Sequence, residues 1–188
     1  MSDPQRTTQP ALPSNSSRAL GWYLAVAVGA GLLDWATKTL AVHFLTDHTR
    51  VFSERFALMI VFNKGAAGGM SWGPYTWLIN VCVTAVSVMM ISLVVRPLAR
   101  VDRRASLALG LVAGGATGNL VSMIAGADGV ADFLAFRFTD NAIVANVADL
   151  ALWSGAILLV PVVRTLIVAI RTEREQKSVH RPRQVVGA

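Results

Sequence analysis

The chain has 188 residues, of which 54% are hydrophobic and only 15% charged, with a formal net charge of +6. A soluble domain of ordinary composition carries about 25% charged residues, and a chain this short has no room to bury several long apolar stretches in a water-facing core. A soluble fold is therefore excluded. The basic excess would suit a nucleic-acid binder, but its distribution points to a membrane surface instead.

In chain order, residues 1–17 are rich in Ser, Thr, Pro and Gln and are expected to be disordered. Residues 19–42 form the first apolar span, uncharged through Leu33 and then interrupted by Asp34 and Lys38. The run does not end in a small-residue cleavage site, so it reads as a retained helix rather than a cleaved leader. Residues 43–72 are a polar connection in which residues 55–62 look like a strand, followed by a glycine-rich turn. The second span covers residues 75–95, with Trp72, Tyr75 and Trp77 at its outer end, where interfacial aromatics belong. It contains the single cysteine, Cys82, which reads as packing; a disulfide within the chain is excluded.

The third span, residues 105–125, carries Gly110, Gly114 and Gly118 at four-residue spacing, a face on which another helix can approach closely. Residues 126–142 are expected to be a second outer loop, and residues 143–170 the fourth span. Each stretch reaches the roughly 18–20 residues that a bilayer crossing needs. The division that follows is a disordered cytoplasmic terminus at 1–17, a four-helix membrane domain at 18–170 and a basic cytoplasmic tail at 171–188. Lys and Arg gather before span one, between spans two and three, and after span four. That alternation is the positive-inside pattern for a protein with both ends in the cytoplasm, and it accounts for the net charge without nucleic acid. Attraction to anionic lipid headgroups adds to it.

Ionisable residues inside a bilayer cost several kcal/mol or more, so the few present are informative. Asp34 and Lys38 share a face of span one, Asn119 lies in the outer half of span three, and Asn146 and Asp149 lie three apart in span four. Asp132 sits in the second outer loop. The expected topology carries all of them toward the extracytoplasmic side. For each a purely structural role is open: an ion pair for Asp34 and Lys38, an interhelical hydrogen bond for Asn119, a solvated loop position for Asp132. Asp149 is the hardest to explain that way, having no basic neighbour in its own span. Two carboxylates brought together can share one proton, so that one activates water while the other polarises a carbonyl. Competing chemistry is not evident: His43, His48 and His180 do not form a metal cluster, and neither a phosphate loop nor a serine-nucleophile motif is present.

Five segments resemble the motifs of the lipoprotein signal peptidase (signal peptidase II) family, in order: Asp34-Trp35-Ala36-Thr37-Lys38, Asn63-Lys64-Gly65-Ala66-Ala67, Gly114-Gly115-Ala116-Thr117-Gly118-Asn119, Gly129-Val130-Ala131-Asp132-Phe133, and Asn146-Val147-Ala148-Asp149. The resemblance covers about residues 20–165. It implies an all-α integral membrane protein of four transmembrane helices with a small extracytoplasmic β-sheet cradle. It further implies an aspartic endopeptidase that cuts bacterial prolipoproteins before the diacylglyceryl-modified cysteine. By the same resemblance Asp132 and Asp149 are the catalytic pair, while Asp34, Lys38, Asn63, Gly65, Asn119 and Asn146 shape the site. Neither a metal nor an organic cofactor is implied. The expected setting is the bacterial inner membrane, and the expected partners are prolipoprotein signal peptides and membrane lipid, met by a monomer. Ser122 and Met123 stand where the family usually has Asp-Arg, Gly68 and Ala145 replace phenylalanines, and Ala131 is smaller than the usual valine. Those departures imply a roomier site. They also motivate a second reading, a non-catalytic homologue that binds lipoprotein signal peptides or assists a partner. A third reading is a small transporter using Asp149 as a proton carrier.

Overall fold

The structure is a computed structural model, and residues 15–64, 70–126, 128–139 and 141–179 are described. Its elements in chain order are α1 (Asn15–Leu45), β1 (Arg50–Ser53), β2 (Phe56–Asn63), a 3-10 turn (Gly73–Tyr75), α2 (Thr76–Val101), α3 (Arg104–Ala125), β3 (Val130–Phe138), β4 (Asn141–Ala145) and α4 (Val147–Val179). Four helices are long and apolar enough to cross a membrane. Their outer faces are as apolar as their inner ones: Leu32, Val83, Met89, Leu93 and Ile157 are all exposed, as lipid-facing side chains are.

Helix α3 is the hub, packing against α1, α2 and α4. Its small residues explain why. A side chain at Gly110 would collide with Tyr23 and Val26, at Gly114 with Ala27 and Ala30, and at Gly118 with Asp34, so the glycine face expected from the spacing is the α1 contact. On the other side, Gly115 lies against Ala148 and Leu152, and Gly155 of α4 lies against Ala108 and Val112. With little hydrophobic drive between helices in lipid, such close approach supplies dispersion contact instead. Tyr23, Val95, Leu109 and Ala113 form the buried centre of the bundle, and the Tyr23 hydroxyl lies 2.8 Å from Ser92 Oγ.

The strands form one antiparallel sheet in the order β1-β2-β3-β4. It is seated on the end of α1 through Ala41, Leu45 and Phe133, with Leu58, Ile60 and Leu134 around them. The register sets Asp132 opposite Val61 and Val130 opposite Asn63. Gly129 leads the chain into β3 at φ +104, and a Cβ there would lie 2.5 Å from the Asn63 carbonyl oxygen. Only glycine meets both demands, and the close approach sets Asn63 beside the start of β3.

Some sequence expectations need correction. Residues 126–142 are largely sheet rather than loop, so Asp132 stands on a strand. Residues 143–145 belong to β4, paired with β3, and the fourth helix begins at Val147. Cys82 lies on the exposed face of α2. At the ends, α1 already includes residues 15–17, and α4 continues past residue 171 to Val179.

Candidate active site

Where α1, α3, β3 and the start of α4 meet, the polar residues singled out from the sequence converge. Asp34 is fully buried on α1. Its Oδ2 accepts from Lys38 Nζ at 2.7 Å, one turn along the same face. Its Oδ1 accepts from the backbone N–H of Ala148 at 2.8 Å, so a carboxylate from one helix satisfies a free donor at the start of another. Lys38, also buried, donates further to Asn119 Oδ1 at 2.8 Å and to Ser122 Oγ at 3.2 Å. An ammonium has three protons, and here three acceptors meet it. Ser122 therefore belongs to the site, passing on a bond to the Gly118 carbonyl at 3.0 Å.

Asn146 links the rest. Its side-chain amide donates to Asp132 Oδ1 at 2.6 Å and to Asn119 Oδ1 at 3.1 Å. Its Oδ1 accepts from the backbone N–H of Asp149 at 3.0 Å, and its own backbone N–H donates to Asp149 Oδ2 at 3.0 Å. That reciprocal pair is a capping box built from Asn and Asp, closing the first turn of α4. Asn119 Nδ2 completes the set with a 2.9 Å bond to Asp149 Oδ1. Both oxygens of Asp149 are thus held as acceptors, and its position is set by the helix start itself. Asp149 lies in the first turn of α4, because residues 141–145 are taken up by β4.

Asp132, 6% exposed, comes in from the strand side. Burial pushes its carboxyl up to about 6; the hydrogen bond from Asn146 pulls the other way, the negative charge of Asp149 adds to the rise, and the Asn63 hydrogen bond and the Lys38 charge lower it by less. Loss of solvent opposes the charged form, and a like charge does the same. Asn63, at the end of β2, thereby joins the cluster, whereas Gly65 lies outside the described residues. The structure brings together Asp34, Lys38, Asn63, Asn119, Asp132, Asn146 and Asp149. The sequence reading missed Ser122 as a direct Lys38 partner and the Asn-x-x-Asp cap; the cap has a local signature, the lysine contact does not.

The signal peptidase (SPase) II family model matches residues 26–164. The chain belongs to that family. Signal peptidase II proteins are membrane aspartic peptidases. The lipoprotein signal peptidase of Mycolicibacterium smegmatis is 37% identical over 155 residues, covering 79% of this chain and 63% of its own length. That of Mycobacterium tuberculosis H37Rv is 38% identical over 150 residues, covering 76% of this chain and 71% of its own. The Teredinibacter turnerae protein is 36% identical over 152 residues, covering 78% and 88%. The chain thus spans just under two thirds of the M. smegmatis relative. A bacterial membrane enzyme solved by the in meso method at 1.9 Å shares the fold, with a TM-score of 0.65 and 22% identity over 76% of this chain and 92% of that one. All five motif segments of this signal peptidase II member fall within the matched residues.

Proposed function

We propose that this chain is itself a working lipoprotein signal peptidase: an aspartic endopeptidase that cuts bacterial prolipoproteins on the N-terminal side of the diacylglyceryl-modified cysteine. The observation that carries the reading is the unequal pair of carboxyls. Asp132 on β3 and Asp149 on α4 are joined through the single side chain and backbone N–H of Asn146, and Asp132 holds its proton up to about pH 6. Protonated Asp132 donates a hydrogen bond to the scissile carbonyl oxygen. Asp149 takes a proton from water, whose oxygen adds to the carbonyl carbon. Collapse of the tetrahedral adduct breaks the C–N bond, and the proton held by Asp149 passes to the leaving amine.

Asn119 and Asn146 orient the pair, while Asp34 and Lys38 fix the three helices that carry it. Asn63, at the end of β2 and hydrogen-bonded to Asp132, suits contact with substrate backbone. The arginine-rich bundle end would face the cytoplasm and the carboxylates the outer side of the bacterial inner membrane. The signal peptide would then lie in the bilayer with its acyl chains in lipid.

The test is incubation of the purified full chain, in detergent, with a diacylglyceryl-modified prolipoprotein. Mass spectrometry should find a product beginning at the lipidated cysteine. A folded protein that binds this substrate and leaves it intact would instead make the chain a non-catalytic member of the family.

A further inference from the structure

At the bundle end opposite the carboxylates, four arginines surround one cavity of about 750 Å³: Arg18 from the start of α1, Arg96 and Arg100 from the end of α2, and Arg103 from the turn before α3. No carboxylate lines it among the described residues. Asp102, the acidic residue next to Arg103, is engaged elsewhere: its Oδ1 accepts from the Arg104 backbone N–H at 2.9 Å and its Oδ2 from Thr165 at 3.5 Å. Among the described residues none of the four guanidiniums is ion-paired. Four like charges around one cavity repel one another unless an anion joins them. The rest of the lining, with Trp22 and Leu107, is largely apolar and belongs to the membrane-spanning helices.

We infer that this cavity is a binding site for an anionic phospholipid, its phosphodiester held by Arg18, Arg96, Arg100 and Arg103 and its acyl chains laid against Trp22 and Leu107. The phosphate geometry suits the planar, multiple donors of arginine, and basic pockets between spanning helices at a membrane surface hold anionic headgroups. The diffuse attraction of a positive membrane-facing end would be met by any basic tail; a cavity with donors from three elements and an apolar wall is selective for one molecule. The inference is independent of peptidase activity.

The experiment is native mass spectrometry of the purified full chain in a zwitterionic detergent, titrated with dioleoylphosphatidylglycerol or dioleoylphosphatidylcholine, with inorganic phosphate as competitor. The anionic lipid should bind at least about tenfold more tightly than the zwitterionic one. Arg96→Gln with Arg100→Gln should weaken it about 25-fold, and Arg100→Gln alone about fivefold, without changing the zwitterionic lipid. All four side chains are exposed, so their replacement leaves the core intact. The control pair Arg171→Gln with Arg174→Gln, equal in charge but outside the cavity, should have little effect. Equal binding of both lipids, or an equal loss in the control pair, would overturn the site. Displacement by inorganic phosphate as effective as that by free lipid would make it a site for free anions instead.

Discussion

Helices α2 and α3 are both apolar enough to span a membrane, yet they do different things. In the spanning window of α3, 39% is buried against the other elements; in that of α2, 6% is. The difference is side-chain size. Helix α3 buries Ala105, Ala108, Gly110, Ala113, Gly114, Gly115 and Gly118, whereas α2 buries only Thr76 and Val95 and turns Met89, Met90 and Leu93 outward. Hydrophobicity decides that a segment enters the bilayer; small residues decide which segments touch there. The polar network follows the tight contacts, with members from α1, β2, α3, β3 and α4 and, among the described residues, none from α2. Functional groups held within a fraction of an ångström need supports that do not slide.

The largest losses are expected on the tightly packed side. Asp132→Asn and Asp149→Asn should each lower the rate of prolipoprotein cleavage by about 10²–10⁴-fold, while the size-exclusion profile and thermal unfolding midpoint stay near wild type. Val83→Ala on the exposed face of α2 should leave cleavage unchanged. Next in size is the buried ion pair. Lys38→Met leaves the fully buried Asp34 without its cation, and a loss of about 3–5 kcal/mol is expected. Adding Asp34→Asn to it should recover part of that loss in an unfolding titration. The same ranking holds for glycines. At Gly114 a Cβ would sit 2.5 Å from the Ala27 carbonyl oxygen, while at Gly29 it would meet nothing within 4 Å. Gly114→Val should therefore cost about 1–3 kcal/mol by overpacking. Gly29→Ala should be neutral or stabilise by up to about 1 kcal/mol.

The sequence made some of this legible because a few properties are local. Uncharged runs marked the four spans, and the four-residue spacing of Gly110, Gly114 and Gly118 marked the α1 contact face. The strand at residues 55–62 showed in its β-prone composition and reappears as β2. The β3–β4 hairpin was hidden for a physical reason. Val130, Ala131, Asp132 and Phe133 are all buried, so the first half of β3 lacks the alternation of a one-sided strand. Ile143, Val144 and Ala145 run on in apolar character toward α4, so the break at Asn146 looked like the interior of a span. What ends the strand and starts the helix there is the reciprocal Asn146–Asp149 cap. Asp34, Lys38, Asn119 and Asp149 were found because a charge or amide in a bilayer is costly wherever it lies. That Ser122 would serve Lys38 depends on how α1 and α3 cross, which no local pattern encodes.

In the proposed mechanism Asp132 and Asp149 work as an unequal pair, with the shared proton on Asp132. The pH dependence of kcat/KM for prolipoprotein cleavage tests it most directly, because that ratio reports the groups of the free enzyme. Burial and the Asp149 charge raise the Asp132 carboxyl from 3.8 to about 6, so its proton is present below that pH and lost above it. With a protonated acid required, kcat/KM should fall about tenfold per pH unit once the pH passes roughly 6. A profile that stays flat from pH 5 to 8, or rises through that range, would contradict the assignment of Asp132 as the acid.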